Sequence, residues 1–165
     1  MPQIMPMLWF DTEAEEAARF YTSIFPNSEI TGISHYTDVG PREKGTVSTV
    51  DFTLDGQRHI ALNGGPEFRF NEAISLVINC RDQEEVDHYW AKLTDGGEES
   101  ACGWLKDRFG VSWQVVPAEF LEIVTGPDEG RRDRGIRAML QMKKLDLGAL
   151  KAAADAPPIR GSTAR

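Results

Sequence analysis

One order of elements, a strand, a helix and three more strands, can be read twice in this chain, and such a duplicated unit leaves few folds open. The first copy opens on the apolar run QIMPMLWF (residues 3–10) and enters a helix at Asp11-Thr12, where Thr12 and Glu15 stand at capping-box spacing. Ala14, Ala17, Ala18, Tyr21, Ile24 and Phe25 recur at helical intervals and mark one apolar face, and Pro26-Asn27-Ser28 stops the helix. Three strands follow: Glu29 to Tyr36, TVSTVDFTL (residues 46–54) and His59 to Asn63. Alternation in the middle one sets Val50, Phe52 and Leu54 against Thr49, Asp51 and Thr53, and Asp55-Gly56 is a hairpin turn.

The second copy begins with AISLVINC (residues 73–80) and a helix from Asp82, again with an acid three residues on at Glu85. Val86, Tyr89, Trp90 and Leu93 form its apolar face, Gly96-Gly97 closes it, and Glu98 to Cys102 is a short strand. CGWLKDRFGVSWQVVP (residues 102–117) then supplies two strands around a turn at Asp107-Arg108-Phe109-Gly110. Phe20-Tyr21 falls on Tyr89-Trp90 at an offset of 69 residues, as a duplication requires. The expected class is α+β: one domain over residues 1–117 with module one at about 3–66 and module two at about 73–117. A helical C-terminal extension (118–155) and a disordered tail (156–165) complete the expectation.

Composition excludes several partners. The chain has 165 residues and a net charge of −8, which disfavours a phosphate backbone or an anionic membrane surface. It shows no apolar run of membrane length and no secretory pattern at its start, so a cytoplasmic location is expected. Cys80 and Cys102 are too few for a disulfide framework. The segment EGRRDRGIRAMLQMKK is basic on one face, which on an acidic chain reads as a solvated surface.

The motifs LWFD, EEAARFYTSIFPNS, ALNGGPEFRFNEAISLVINC and CGWLKDRFGVSWQVVP closely resemble the PhnB-like family labelled 3-demethylubiquinone-9 3-methyltransferase. That family lies within the vicinal oxygen chelate superfamily of glyoxalase I, extradiol dioxygenases and fosfomycin resistance proteins. The resemblance implies curved mixed sheets with the helices outside, a cavity enclosed by paired halves, and a homodimer. In metal-dependent relatives it implies four ligands, one on the first and one on the last strand of each half. The corresponding neighbourhoods here hold Ile4 or Pro6, the stretch His59 to Asn63, Ser75, and Gln114.

A neutral amide and a hydroxyl are poor substitutes for carboxylates around a divalent ion, so neither metal nor cofactor is expected. His35, His59 and His88 stand on separate elements without ligand spacing. A methyltransferase of the common S-adenosylmethionine fold would need a glycine-rich turn after its first strand, where this chain has FDTEAEE. Asp51 is the candidate general base, if its face lines the cavity.

Period two further predicts an inward lining of Ser75, Val77 and Asn79, of His59, Ala61 and Asn63, and of Ser112, Gln114 and Val116. Trp104, Phe68 and Phe70 would act as apolar walls. The ligand residues expected are thus His59, Asn63, Ser75, Asn79, Trp104 and Gln114, around an uncharged or aromatic small organic molecule. The alternatives are a methyltransferase, as the family label says, and a metal-dependent lyase or dioxygenase.

Overall fold

The computed structural model of the protein describes residues 4–157. The chain divides into two compact units, Met1–Phe70 and Asn71–Arg165. The expected tail lies, from residue 158 on, outside the described residues.

The first unit is β1 (Met7–Phe10), α1 (Ala14–Ile24), β2 (Glu29–His35), β3 (Val47–Leu54) and β4 (Gln57–Asn63). Its sheet has the order β1-β4-β3-β2, with β1 parallel to β4 and the other pairs antiparallel. The second unit repeats this plan with β5 (Leu76–Cys80), α2 (Gln83–Thr94), β6 (Glu98–Glu99), β7 (Trp104–Lys106) and β8 (Ser112–Pro117), in the order β5-β8-β7-β6. The tandem βαβββ reading therefore holds.

In the first unit α1 lies on one face of the sheet. Ala14, Ala17 and Ala18 are fully buried, and side chains so small let the helix come close to β3. Tyr21 stacks on Phe52 with centroids 6.4 Å apart, and Val50 and Leu54 complete that face. Burying each such ring or aliphatic side chain contributes about 1.5–3 kcal/mol.

The start of α1 departs from the expected capping box. The helix begins at Ala14 with Glu13 as its N-cap residue, and neither Thr12 nor Glu15 caps it. The amide of Ala14 instead donates to Asn63 Oδ1 at 2.8 Å. A buried strand residue has taken the place of the local cap, because it satisfies the same orphan N–H and is itself satisfied by it. In the second unit the local cap does form: the Glu85 amide donates to Asp82 Oδ1 at 3.0 Å.

The β7–β8 turn is organised by Asp107, which is 3% exposed. Its Oδ1 accepts the amides of Phe109 (2.8 Å) and Val111 (3.0 Å), and its Oδ2 accepts the indole N–H of Trp113 at 2.8 Å. Gly110 supplies the left-handed backbone, φ 86°, that the turn needs.

The extension forms α3 (Ala118–Thr125), α4 (Glu129–Met139) and α5 (Leu147–Asp155). Val116, Phe120, Ile123, Leu145, Leu150 and Ala154 form the core of this region. Gln83 ties the extension to α2, donating to the Leu145 carbonyl (3.1 Å) and accepting the Leu147 amide (2.7 Å). The basic segment is occupied within its own unit: Arg131 bonds Asp155 at 2.7 Å, Arg134 the Ala154 carbonyl at 2.9 Å, and Lys144 Asp87 at 2.6 Å.

Candidate functional site

Each sheet has a face under its helix and an open face, and strand register decides which side chains go where. In the first sheet Phe52 pairs with His59 and Val50 with Ala61, while β1 sets Phe10 beside Asn63. His59, Ala61 and Asn63 therefore share the helix face with Phe52, opposite to the expected inward lining. His59 is 5% exposed and stacks on Phe52 at 5.4 Å, with its Nδ1 2.8 Å from the Gln57 carbonyl. Burial pushes its pKa below the ordinary histidine value, against a smaller upward pull from the Gln57 carbonyl. Asn63 caps α1 and donates through Nδ2 to the Val47 carbonyl at 3.1 Å, so both ends of its amide serve the fold.

The signal that orients His59 was present in the sequence. A two-residue turn at Asp55-Gly56 pairs Leu54 with Gln57, and every second pair along the hairpin then shares a face. Counting from the turn puts His59 beside Phe52.

Asp51 lies on the open face of the first sheet, in cross-strand register with Ile60. Its carboxylate is 35% exposed and 3.9 Å from Arg58. Phe68 and Phe70 make edge contacts with Trp9 (4.9 Å) and Phe10 (5.1 Å) within the first unit. The second unit is where the expected polar residues meet.

There Val77 pairs with Gln114, Trp104 with Gln114, and Lys106 with Ser112. The partners Leu105, Trp113 and Val115 turn to the buried side. The open face thus carries Asn79, Gln114 and Trp104, with Ser75 adjoining, and Gln114 Nε2 donates to Ser75 Oγ at 2.9 Å. A groove of about 420 Å³ is lined by Trp104, Cys102, Lys106, Ser112, Glu72 and Glu98, among others.

Two features of this groove bear on chemistry. Lys106 Nζ lies 2.5 Å from Glu72 Oε1, and the bond and charge of each partner hold the Glu72 carboxyl below and the lysine above their ordinary pKa ranges. Ser112 is 1% exposed, and its Oγ has no hydrogen-bond partner among the described residues. Lys106, Ser112, Glu72 and Glu98 were absent from the expected ligand set. Ser112 was legible from the alternation that oriented Gln114, whereas nothing in the local pattern brings Glu72 to β7.

The positions that correspond to metal ligands in the superfamily do not suit a divalent ion. Gln114 and Ser75 are neutral and bonded to each other, and His59 is under α1. No group of three or more His, Cys, Asp or Glu side chains converges among the described residues.

A family profile described as 3-demethylubiquinone-9 3-methyltransferase matches residues 2–116. The chain belongs to this family. It is therefore a PhnB-like member of the vicinal oxygen chelate superfamily. Among solved structures it is similar to a PhnB protein from Bacillus cereus described as a candidate 3-demethylubiquinone-9 3-methyltransferase. Identity is 39% and the TM-score 0.65, and the match covers 71% of this chain and all of that one. Protein PA1353 from Pseudomonas aeruginosa matches at 21% identity and TM-score 0.58, over 70% of this chain and 96% of that one. The fosfomycin resistance protein FosX from Mesorhizobium loti matches at 11% and 0.51, over 69% and 89%. These last two speak for the fold alone, and no curated protein matches.

Much of what marks the PhnB-like family in this chain turns out to hold its fold. In ALNGGP, Asn63 caps α1, Gly64 packs so close to the Trp9 indole that a Cβ would strike it, and the Gly65 carbonyl accepts Trp9 Nε1 at 2.9 Å. In CGWLKDRFGVSWQ, Asp107 and Trp113 lock the turn, and only the alternate residues Trp104, Lys106, Ser112 and Gln114 reach the open face.

Proposed function

We propose that this chain is a metal-independent binding protein for a small organic molecule, seated on the open face of the second sheet. The observation that carries this reading is the buried Ser112 hydroxyl at the groove. A buried polar group without a partner costs about 1–3 kcal/mol, and a ligand atom would recover that loss. The groove has the size of a small-molecule site. Trp104 provides an aromatic wall, and Ser75, Asn79 and Gln114, on the same side of the sheet but outside the groove's lining, offer uncharged hydrogen-bonding groups beside it. His59 and Asn63 leave the expected ligand set because they serve the core. The reading includes a homodimer in the cytoplasm, which sedimentation and fractionation examine.

The neutral Gln114–Ser75 pair supports binding without a chelated metal. The link between β1 and α1, Asp11 to Glu13, has no glycine to admit a nucleotide's backbone contact, which speaks against S-adenosylmethionine in the common mode. Thermal shift with a small-molecule library, Mn(II) and S-adenosylmethionine tests the reading, because a ligand of the native state raises Tm. Library hits whose effect vanishes in Trp104→Ala are expected. A rise in Tm with Mn(II) or with S-adenosylmethionine, and none with the library, would overturn it.

A further inference from the structure

The charges around the groove narrow the ligand class, on the footing of the site just proposed. Three carboxylates, Glu72, Glu98 and Glu99, line it against one ammonium, Lys106. Lys106 is engaged by Glu72 at 2.5 Å. Glu99 accepts the Trp90 indole N–H at 2.9 Å and has Lys143 at 4.0 Å from its other oxygen. Glu98 pairs with Lys106 across the strands, and no cation comes within ion-pair distance of it among the described residues. The open face thus keeps a surplus of negative charge beside an indole and a buried hydroxyl that lacks a partner.

We propose that this groove selects a small organic cation, an ammonium or amidinium on an aromatic or aliphatic body, and rejects carboxylates and phosphonates. The cationic N–H groups donate to Glu98 and to the Ser112 oxygen, and the body lies on Trp104, where the ring face attracts positive charge. Lys106 is the groove's internal rival: its ammonium already pairs with Glu72 and also feels the charge of Glu98, its cross-strand neighbour, which the ligand's cation would engage. An anionic ligand would require the reverse roles, with Lys106 as its anchor and Glu98 as an obstacle. Substitution of the partly buried Lys106 and the exposed Glu98 therefore gives opposite signs for the two ligand classes.

The test titrates the native protein with benzamidine, benzylamine, benzyl alcohol and benzoate, which share a ring and differ in charge, and follows the Trp104 indole resonance by NMR. The two cations are expected to bind and benzoate not to. Lys106→Met should tighten cation binding by about threefold and Glu98→Gln should weaken it by about threefold, the scale of one partly exposed charge pair. Ser112→Ala should weaken it as well. Binding of benzoate or benzyl alcohol at Trp104 equal to or tighter than that of the cations overturns the inference while leaving a small-molecule site in place. Loss of cation binding in Lys106→Met overturns it, and so does silence with all four probes; in that case the library experiment decides whether the groove binds any ligand.

Discussion

The turn that closes the second sheet offers a quantitative test of how the motif CGWLKDRFGVSWQ acts. Asp107 and Trp113 are 3% and 2% exposed and meet at 2.8 Å, while the other oxygen of Asp107 accepts two backbone amides. A hydrogen bond to a charged group contributes about 1.5–3 kcal/mol, and an orphaned buried donor costs a comparable amount. Asp107→Ala removes the acceptor of three donors. Water can reach the amides of an opened turn more easily than the enclosed indole, so a loss of about 4 kcal/mol is expected from a total of about 5–15 kcal/mol.

Asp107→Asn is the sharper probe. Its oxygen can keep the two backbone amides, but its NH2 then faces the indole N–H, donor against donor, at a cost of about 2 kcal/mol. Trp113→Phe leaves a smaller ring in the core, at about 2–3 kcal/mol. In the double variant the opposed donors are gone, so the combined loss should fall short of the sum by about 1.5 kcal/mol. Urea unfolding followed by far-UV circular dichroism measures all four proteins, since removing a tryptophan disturbs fluorescence but not this signal. Losses that add within about 0.3 kcal/mol at unchanged m would refute the claim that this bond holds the turn.

Other outcomes follow from the same reasoning. His59 has a folded pKa below its unfolded value of about 6.5, so its stabilising effect is complete above that pH and is lost as pH falls toward the folded value. A Tm series from pH 8 to 5 should show this loss, and His59→Phe should remove it. Glu72, Asp82, Asp87 and Asp155, held low by hydrogen bonds to their partners, add a separate loss at more acidic pH. Burial pushes the Cys80 thiol up to about 12, and iodoacetamide followed by mass spectrometry should modify the half-buried Cys102 well before Cys80 in the native protein. Asn63→Leu leaves the Ala14 amide and the Val47 carbonyl unbonded and should cost about 3 kcal/mol in chemical unfolding, while Thr12→Ala at the expected cap should change stability by under about 0.5 kcal/mol.

Local chemistry determined a good deal by itself. Alternation in TVSTVDFTL chose the face of Val50, Phe52 and Leu54, helical spacing chose the buried side of α1, and Asp82 capped α2 as its spacing to Glu85 implied. These features depend on neighbours within one turn or one hairpin, which a linear sequence displays directly. The order of elements was also within reach, because a unit repeated 69 residues later supports the reading of both copies, and the mixed sheets were what the family resemblance implied.

Tertiary structure decided the rest. Asn63 caps a helix 49 positions before it, and that contact displaced the capping box at Thr12 and Glu15. His59 differs, because the Asp55-Gly56 turn already fixes the hairpin register that carries it to the core, where alternation within β4 alone permits either face. The groove exists because Glu72, on the connection before β5, returns to Lys106 on β7, and because the fold encloses Ser112 without giving its oxygen a partner. The physical reason is common to the Asn63 cap and the groove. Periodicity fixes which residues share a side, but the partner on that side, and whether a polar atom is satisfied there, depend on chain segments brought together only by folding.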